Sequence, residues 1–260
     1  MTSEQVTRAA RHFAQARRDA VRFETLPADC KIPDIAGGYA VQQALHDTLG
    51  IPVSGYKIGC TTDVMQKFLK IGHPCGGSIQ ETDIHLSPVA LPHDRFRRVG
   101  VECEIAVRLG HDLPADNAPF DREAVSSAVA SCMAAIEIVD DRYVDYSKLD
   151  APTLIADDFF GAGCVLGEPR TDWRSLDLAG TAASMTVNRV EVGNGIGSHV
   201  MGHPFEALAW LATTLARRSN GLKRGQIVLT GSIVETQWVH AGDHVTVTVD
   251  GLGAAEVRFT

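Results

Sequence analysis

Three glutamates and one lysine in this chain stand where solvent would not place them. In Val101-Glu102-Cys103-Glu104-Ile105-Ala106-Val107-Arg108-Leu109 a strand puts Val101, Cys103, Ile105, Val107 and Leu109 on one face, so Glu102 and Glu104 share the other. Two carboxylates about 7 Å apart on one face repel unless a cation lies between them or water bathes that face. The alternation alone admits either. Glu137 tips the balance, because it sits inside Ala134-Ala135-Ile136-Glu137-Ile138-Val139, an apolar run expected to be a buried strand. A carboxylate desolvated alone is strongly disfavoured, so it needs a buried arginine or lysine, or a metal ion. Convergence of Glu137 with Glu102 and Glu104 would supply three oxygen ligands without Cys or His, a set that selects Mg²⁺ or Mn²⁺ over Zn²⁺. Lys57 lies in Gly55-Tyr56-Lys57-Ile58-Gly59, a short apolar strand whose glycines permit close approach of a ligand or another strand. It fits an exposed strand lysine, and it equally fits an acid–base group whose proton is loosened by a nearby metal.

The elements that must position these residues can be read from periodicity. Residues 3–22 carry Val6, Ala9, Ala10, Phe13, Ala16, Ala20 and Val21 at helical spacing, and 35–49 repeats the pattern before Gly50 and Pro52. Runs of β type follow at 55–60, 99–109, 134–140 and 184–192. Four more, at 226–231, 235–240, 243–249 and 254–259, suggest an antiparallel meander. A helix is expected from about Asp121 to Met133, a plausible crossover returning the chain to the same sheet, and another from Pro204 to about Arg218. The result is an α+β chain: a helical N-terminal region at 1–50 packed on a β-rich catalytic domain at 51–260, with no repeat or flexible linker.

Composition narrows the function. The 260 residues carry 24 Lys plus Arg against 32 Asp plus Glu, a net charge of −8, which argues against a nucleic-acid surface. No apolar run approaches a membrane span, and the polar N-terminus has no signal-peptide pattern. The six cysteines form no Cys-x-x-Cys pair and are expected to be reduced, buried thiols of a cytoplasmic protein.

Taken in order, Gly55-Tyr56-Lys57-Ile58-Gly59 with Met65-Gln66, Val101-Glu102-Cys103-Glu104 and Ile136-Glu137-Ile138-Val139-Asp140-Asp141-Arg142 resemble the fumarylacetoacetate hydrolase superfamily, in particular its 2-keto-4-pentenoate hydratase branch. Ala156-Asp157-Asp158, Val165-Leu166-Gly167, Gly202-His203-Pro204-Phe205-Glu206-Ala207-Leu208-Ala209-Trp210-Leu211 and Val228-Leu229-Thr230-Gly231-Ser232 continue the resemblance. It implies a mixed β-sandwich roll with Glu102, Glu104 and Glu137 as ligands of Mg²⁺ or Mn²⁺ and Lys57 as acid–base group. It also implies Thr230 and Ser232 near a substrate carboxylate, a small-molecule 2-oxo or 2-hydroxydienoic acid as substrate, and a homo-oligomer. The expected activity is hydration of a 2-hydroxy-2,4-dienoate in aromatic-compound catabolism. Acylpyruvate-type C–C hydrolysis and 2-oxo-3-enedioate decarboxylation are the alternatives within the superfamily, and a silent carboxylate-binding protein lies outside it.

Two departures bear on the substrate. Many hydratases of this branch read Ala-Asp-Asn-Ala-Ser-Ser-Gly where this chain has Ala156-Asp157-Asp158-Phe159-Phe160-Gly161-Ala162, so two bulky aromatics replace hydroxyls, and Asp158 and Phe160 are expected at the substrate. The usual Pro-Asp-Phe-Gly-like stretch is Pro74-Cys75-Gly76-Gly77, which lacks the acid. Hydrolysis would need a water-activating pair, for which His73 and Glu81 are the candidates. Gly193-Asn194-Gly195-Ile196-Gly197-Ser198 lacks the third glycine of a dinucleotide loop and reads as a turn between strand and helix. The pairs His199/His203 and His240/His244 lack the glutamate of a zincin helix.

Overall fold

A capping box opens the first helix: the Gln5 N–H donates to the Thr2 hydroxyl and the Thr2 N–H to the Gln5 side chain, starting α1 (Ser3–Arg18). This helix ends sooner than the periodicity suggests, because the chain turns at Ala20 (φ 53°). Asp34 caps α2 (Ile35–Leu49), and Gly50, at φ 70°, ends it in the left-handed conformation expected of a C-terminal glycine. The computed structural model describes residues 1–260, apart from the side chains of Asp63, Val64 and Phe68. After α2 come β1 (Val53–Gly59), α3 (Asp63–Leu69), β2 (Cys75–Gln80), β3 (Ile84–Leu86), β4 (Val89–Leu91) and β5 (Val99–Leu109). Then follow α4 (Arg122–Ala128), β6 (Val129–Asp140), α5 (Ala151–Ala156), β7 (Gly161–Leu166), β8 (Ala182–Val187) and β9 (Val190–Ile196). The chain ends with α6 (Pro204–Ala216), β10 (Ile227–Trp238), β11 (His244–Val249) and β12 (Gly253–Phe259).

The strands form a seven-stranded sheet, β2-β1-β10-β5-β6-β7-β3, packed on a five-stranded sheet, β4-β12-β11-β8-β9. This is the mixed β-sandwich roll expected, with helices at its N-terminal end. Val101, Cys103, Ile105, Val107 and Leu109 all enter the main core between the sheets, with Ile136, Ile138, Tyr56 and Ile58. Strand alternation therefore turns Glu102, Glu104, Glu137 and Lys57 to the opposite face of the larger sheet. The N-terminal helices bring a second core to that side: Phe13, Tyr39, Val41 and Leu45 pack with Cys60, Cys75, Tyr143, Leu154, Ile155 and Phe159. Among the described residues, no helix is long and apolar enough to cross a membrane.

Three elements differ from the sequence expectation. The helix expected at 121–133 stops at Ala128, and β6 begins at Val129 as an antiparallel neighbour of β5, not after a crossover. Residues 129–133 suit either state locally, and pairing of Ser131, Cys132 and Met133 with Arg108, Val107 and Ala106 decides for strand. The strand expected at 184–192 is the hairpin β8–β9, turned by Asn188 (φ 53°) and Arg189 (φ 68°), so residues 193–196 of the glycine-rich stretch lie in β9 and Gly197 opens a short 3-10 turn. The runs at 226–231 and 235–240 are one strand, β10, parallel to β1 and antiparallel to β5, so only β11 and β12 keep the meander. A bulge around Gly231 (φ 124°) interrupts its alternation, which is why it read as two.

Candidate active site

The β5–β6 register sets Glu102 directly opposite Glu137, with Glu104 two residues along on the same face. Each of the three offers a carboxylate oxygen within 4.8 Å of the other two. Glu104 and Glu137 are 0% and 1% exposed. The Gly231 N–H donates to Glu104 Oε2 at 2.8 Å, and the Thr236 hydroxyl donates to Glu102 Oε1. Glu104 Oε1 and both oxygens of Glu137 accept no hydrogen bond from the described residues. Lys57 Nζ does lie 2.9 Å from Glu137 Oε1, an ion pair by distance whose alignment is not that of a hydrogen bond.

These acids carry more negative charge than Lys57 balances. Burial, then repulsion from Glu137, pushes Glu102 up to about 7. The same two causes hold Glu104 well above the carboxylate range. Burial alone would lower Lys57, but Glu137, followed by Glu102, outweighs it and keeps the ammonium above its ordinary value. One lysine against three carboxylates leaves an excess of buried negative charge and orphaned oxygens. An all-oxygen donor set of this kind fits a hard divalent cation.

Lys57 reaches the acids through a slot made by three glycines. A Cβ on Gly59 would fall 3.3 Å from Lys57 Nζ, and one on Gly161 would fall 3.6 Å from its Cε. At Gly77, the strand partner of Lys57, a Cβ would meet Lys57 Cγ at 3.2 Å and the Asp158 carbonyl oxygen at 2.6 Å. Phe159 closes the slot, its ring centroid 5.2 Å from Nζ. Gly77→Ala is therefore expected to lower stability by about 1–3 kcal/mol through overpacking against backbone that cannot swing aside. Chemical denaturation measures this, and a change near zero would mean the slot has slack.

The other predicted residues divide. Ser232 pairs with Glu104 across β10 and β5, which sets it beside the cluster, and its hydroxyl donates to the Val234 carbonyl. The hydroxyl of fully buried Thr230 donates to the Ile105 carbonyl at 2.8 Å, where it ties β10 to β5. The Asp158 carboxylate accepts from the Ser78 N–H at 3.0 Å and from Arg17 at 3.0 Å, with His46 Nε2 at 2.9 Å, so both its oxygens are engaged by the protein. Phe160 packs edge-on against Tyr143, Tyr146 and Phe159, and the ring over Lys57 is that of Phe159. His73 and Glu81 flank opposite ends of β2, about 20 Å of strand apart, and cannot form a pair in this arrangement. Of the histidines set aside, His203 caps α6 by accepting from the Phe205 N–H.

Gly231, Thr236, Gly77, Gly161 and Phe159 were not singled out from the sequence. A Thr-Gly-Ser step inside an apolar strand is a bulge signal that points to Gly231. Nothing local distinguishes Phe159 from Phe160.

Fold and site together define a mixed β-sheet roll with a buried carboxylate cluster served by a lysine. The chain belongs to the fumarylacetoacetate hydrolase family: the model of the fumarylacetoacetate hydrolase C-terminal domain matches residues 78–260. It is 34% identical over 218 residues to a 2-hydroxyhexa-2,4-dienoate hydratase of Comamonas testosteroni, covering 83% of this chain and 81% of that one. It is 32% identical over 254 residues to a 2-keto-4-pentenoate hydratase of Burkholderia vietnamiensis, covering 96% of each. Among solved structures, 4-oxalocrotonate decarboxylase from Pseudomonas putida G7, complexed with magnesium and adipate, superposes with a TM-score of 0.93 at 25% identity over 100% of this chain and 99% of that one.

Proposed function

We propose that this chain is a divalent-metal-dependent hydro-lyase that adds water to a 2-hydroxy-2,4-dienoate, through its 2-oxo-enoate form, in the breakdown of aromatic compounds. The observation that carries the reading is the convergence of Glu102, Glu104 and Glu137, two of them buried with unpartnered oxygens, beside the ammonium of Lys57. The dienoate and pentenoate hydratases named above supply the substrate class. We assign the three glutamates to Mg²⁺, with Mn²⁺ as a substitute. When bound, such a cation polarises a 2-oxo acid and stabilises negative charge developing on it. Lys57, 3% exposed and capped by Phe159, holds a proton out of reach of bulk water. We assign to it the movement of that proton between the enol and carbon as the dienol becomes an enone, to which water then adds at C4. Thr236, by holding Glu102, and the Gly231 N–H, by holding Glu104, keep the cluster's geometry fixed.

Decarboxylation of a 2-oxo-3-enedioate is the second reading, favoured by the end-to-end superposition on 4-oxalocrotonate decarboxylase. C–C hydrolysis has less support, because His73 and Glu81 do not meet. All six cysteines are buried and unpaired, which suits a reducing cytoplasm, and we expect a homo-oligomer there.

Incubation with Mg²⁺ and, in parallel, 2-hydroxypenta-2,4-dienoate, an acylpyruvate and an oxalocrotonate separates the readings. Hydration gives 4-hydroxy-2-oxopentanoate from the first. Carbon dioxide from the third, without hydration of the first, would transfer the assignment to decarboxylation, and two fragments from the acylpyruvate to hydrolysis.

Metal binding should also depend on pH. Glu102 near 7 and Glu104 above the usual range must both lose protons to take a cation, so protons leave as metal enters. Affinity is expected to fall about tenfold per pH unit below 7 for each proton released. Calorimetric titration of Mn²⁺ in two buffers of different ionisation enthalpy reads that release. The same titration on Glu137→Gln should show a large loss of affinity, and an unchanged value would remove the three-glutamate assignment.

A further inference from the structure

Asp158, Phe159 and Phe160 have φ of 58°, 49° and 66°, three successive non-glycine residues in the left-handed region. A side chain there brings Cβ against the next carbonyl, so such a run persists only where its surroundings hold it. Phe159 and the Asp158 carbonyl are the parts of this run that wall the Lys57 slot.

The hold comes from the N-terminal helix. Arg17, in the last turn of α1, donates to Asp157 Oδ1 through Nε at 2.8 Å and lies 3.0 Å from Asp158 Oδ2 through a terminal nitrogen. Asp157 is further fixed by the Arg142 Nε at 3.1 Å and the Tyr143 hydroxyl at 3.0 Å. Asp158, 1% exposed, uses its other oxygen on the Ser78 N–H and on His46 from α2. Ser78 follows Gly77, the strand partner of Lys57. A continuous set of contacts thus runs from Arg17 through two aspartates to β2, Phe159 and the lysine. Only a planar, multidentate guanidinium reaches both carboxylates at once.

We propose that Arg17 is a positioning residue for Lys57, so that helix α1 is part of the catalytic unit although it never touches the acids. The inference rests on Lys57 being the acid–base group. It concerns placement of the lysine, not capture of the cation, which the glutamates of β5 and β6 would perform.

The test compares Arg17→Ala, Arg17→Lys and, as a control on the same helix, Arg8→Ala, which removes only a surface pair with Asp29. With Mg²⁺ and the dienoate, Arg17→Ala should lower kcat by about tenfold or more, with KM and Mn²⁺ affinity changed less than about twofold. Arg17→Lys should fall between it and the wild type, and Arg8→Ala should match the wild type. Hydrogen exchange should quicken at Ser78 and across 158–161 in Arg17→Ala, and not along β11 and β12. Unchanged kcat, or a loss of kcat without faster exchange at those two segments, overturns the proposal. If Arg17→Ala does not fold, Arg17→Lys carries the same comparison and must itself show both changes. If the wild type hydrates no dienoate, the preceding functional reading fails, and exchange alone then decides: faster at both segments supports the hold by Arg17, and unchanged rates overturn it.

Discussion

Lys57→Met should lower kcat for dienoate hydration by about two to four orders of magnitude, the usual contribution of a positioned acid–base group. Methionine keeps most of the stem that lies along Gly77 and Gly161, so the slot stays filled. Divalent-metal affinity should hold or improve, because Lys57 Nζ, 2.9 Å from Glu137 Oε1, is a cation competing for the same carboxylate. The metal-free variant should be less stable than the metal-free wild type, since Glu137 would lose its one counter-charge in a site 1% exposed. A kcat within about tenfold of wild type in the metal-loaded variant would remove Lys57 from the proton transfer. The split is what informs: loss of turnover with metal retained separates the lysine's role from that of the glutamates.

Asp157→Ala should lower folding stability by about 3–5 kcal/mol, the range for removing one partner from a buried charged network. Its carboxylate, 2% exposed, faces the Arg17 and Arg142 guanidiniums and the Tyr143 hydroxyl. Without it two part-buried guanidiniums would face each other with no carboxylate between them. Burial works to lower both, and Asp157 is the main group that outweighs it. Denaturant unfolding gives the value directly. In the double variant Asp157→Ala with Arg17→Ala the loss should be clearly less than additive, because the second change removes one of the stranded charges. A loss below about 1 kcal/mol would show that the network contributes little to holding the N-terminal helices on the sheet.

Much of this could be read from the residues in order. Strict alternation in 101–109 names the core face of β5 and so places both glutamates opposite it, because a strand leaves no third choice. Glu137, embedded in apolar residues, had to be paired or bound. What stayed hidden is of another kind. Residues 129–133 suit helix or strand equally, and pairing with β5 settled them. The bulge at Gly231 breaks the alternation of β10, so one strand resembled two. Asp158 lies in a motif that resembles a substrate-binding one, and its carboxylate turns instead to Arg17 and His46, residues 141 and 112 positions away. Phe159 and Phe160 are chemically alike and adjacent. Both are in the left-handed region, and only Phe159 lies over the lysine.

By itself, then, the sequence determined the inventory and part of its polarity: Glu102 and Glu104 on a strand face turned from the core, Glu137 and Lys57 inside apolar strands, and a helical region ahead of a β-rich one. Those follow from periods of two and 3.6 residues, which are local. Only the tertiary structure decided that Glu102 lies opposite Glu137, that Gly77, Gly59 and Gly161 converge on one lysine, and that a helix near the N-terminus holds the backbone beside it. Register, close approach and long-range ion pairing depend on which segments meet, and no local period encodes that.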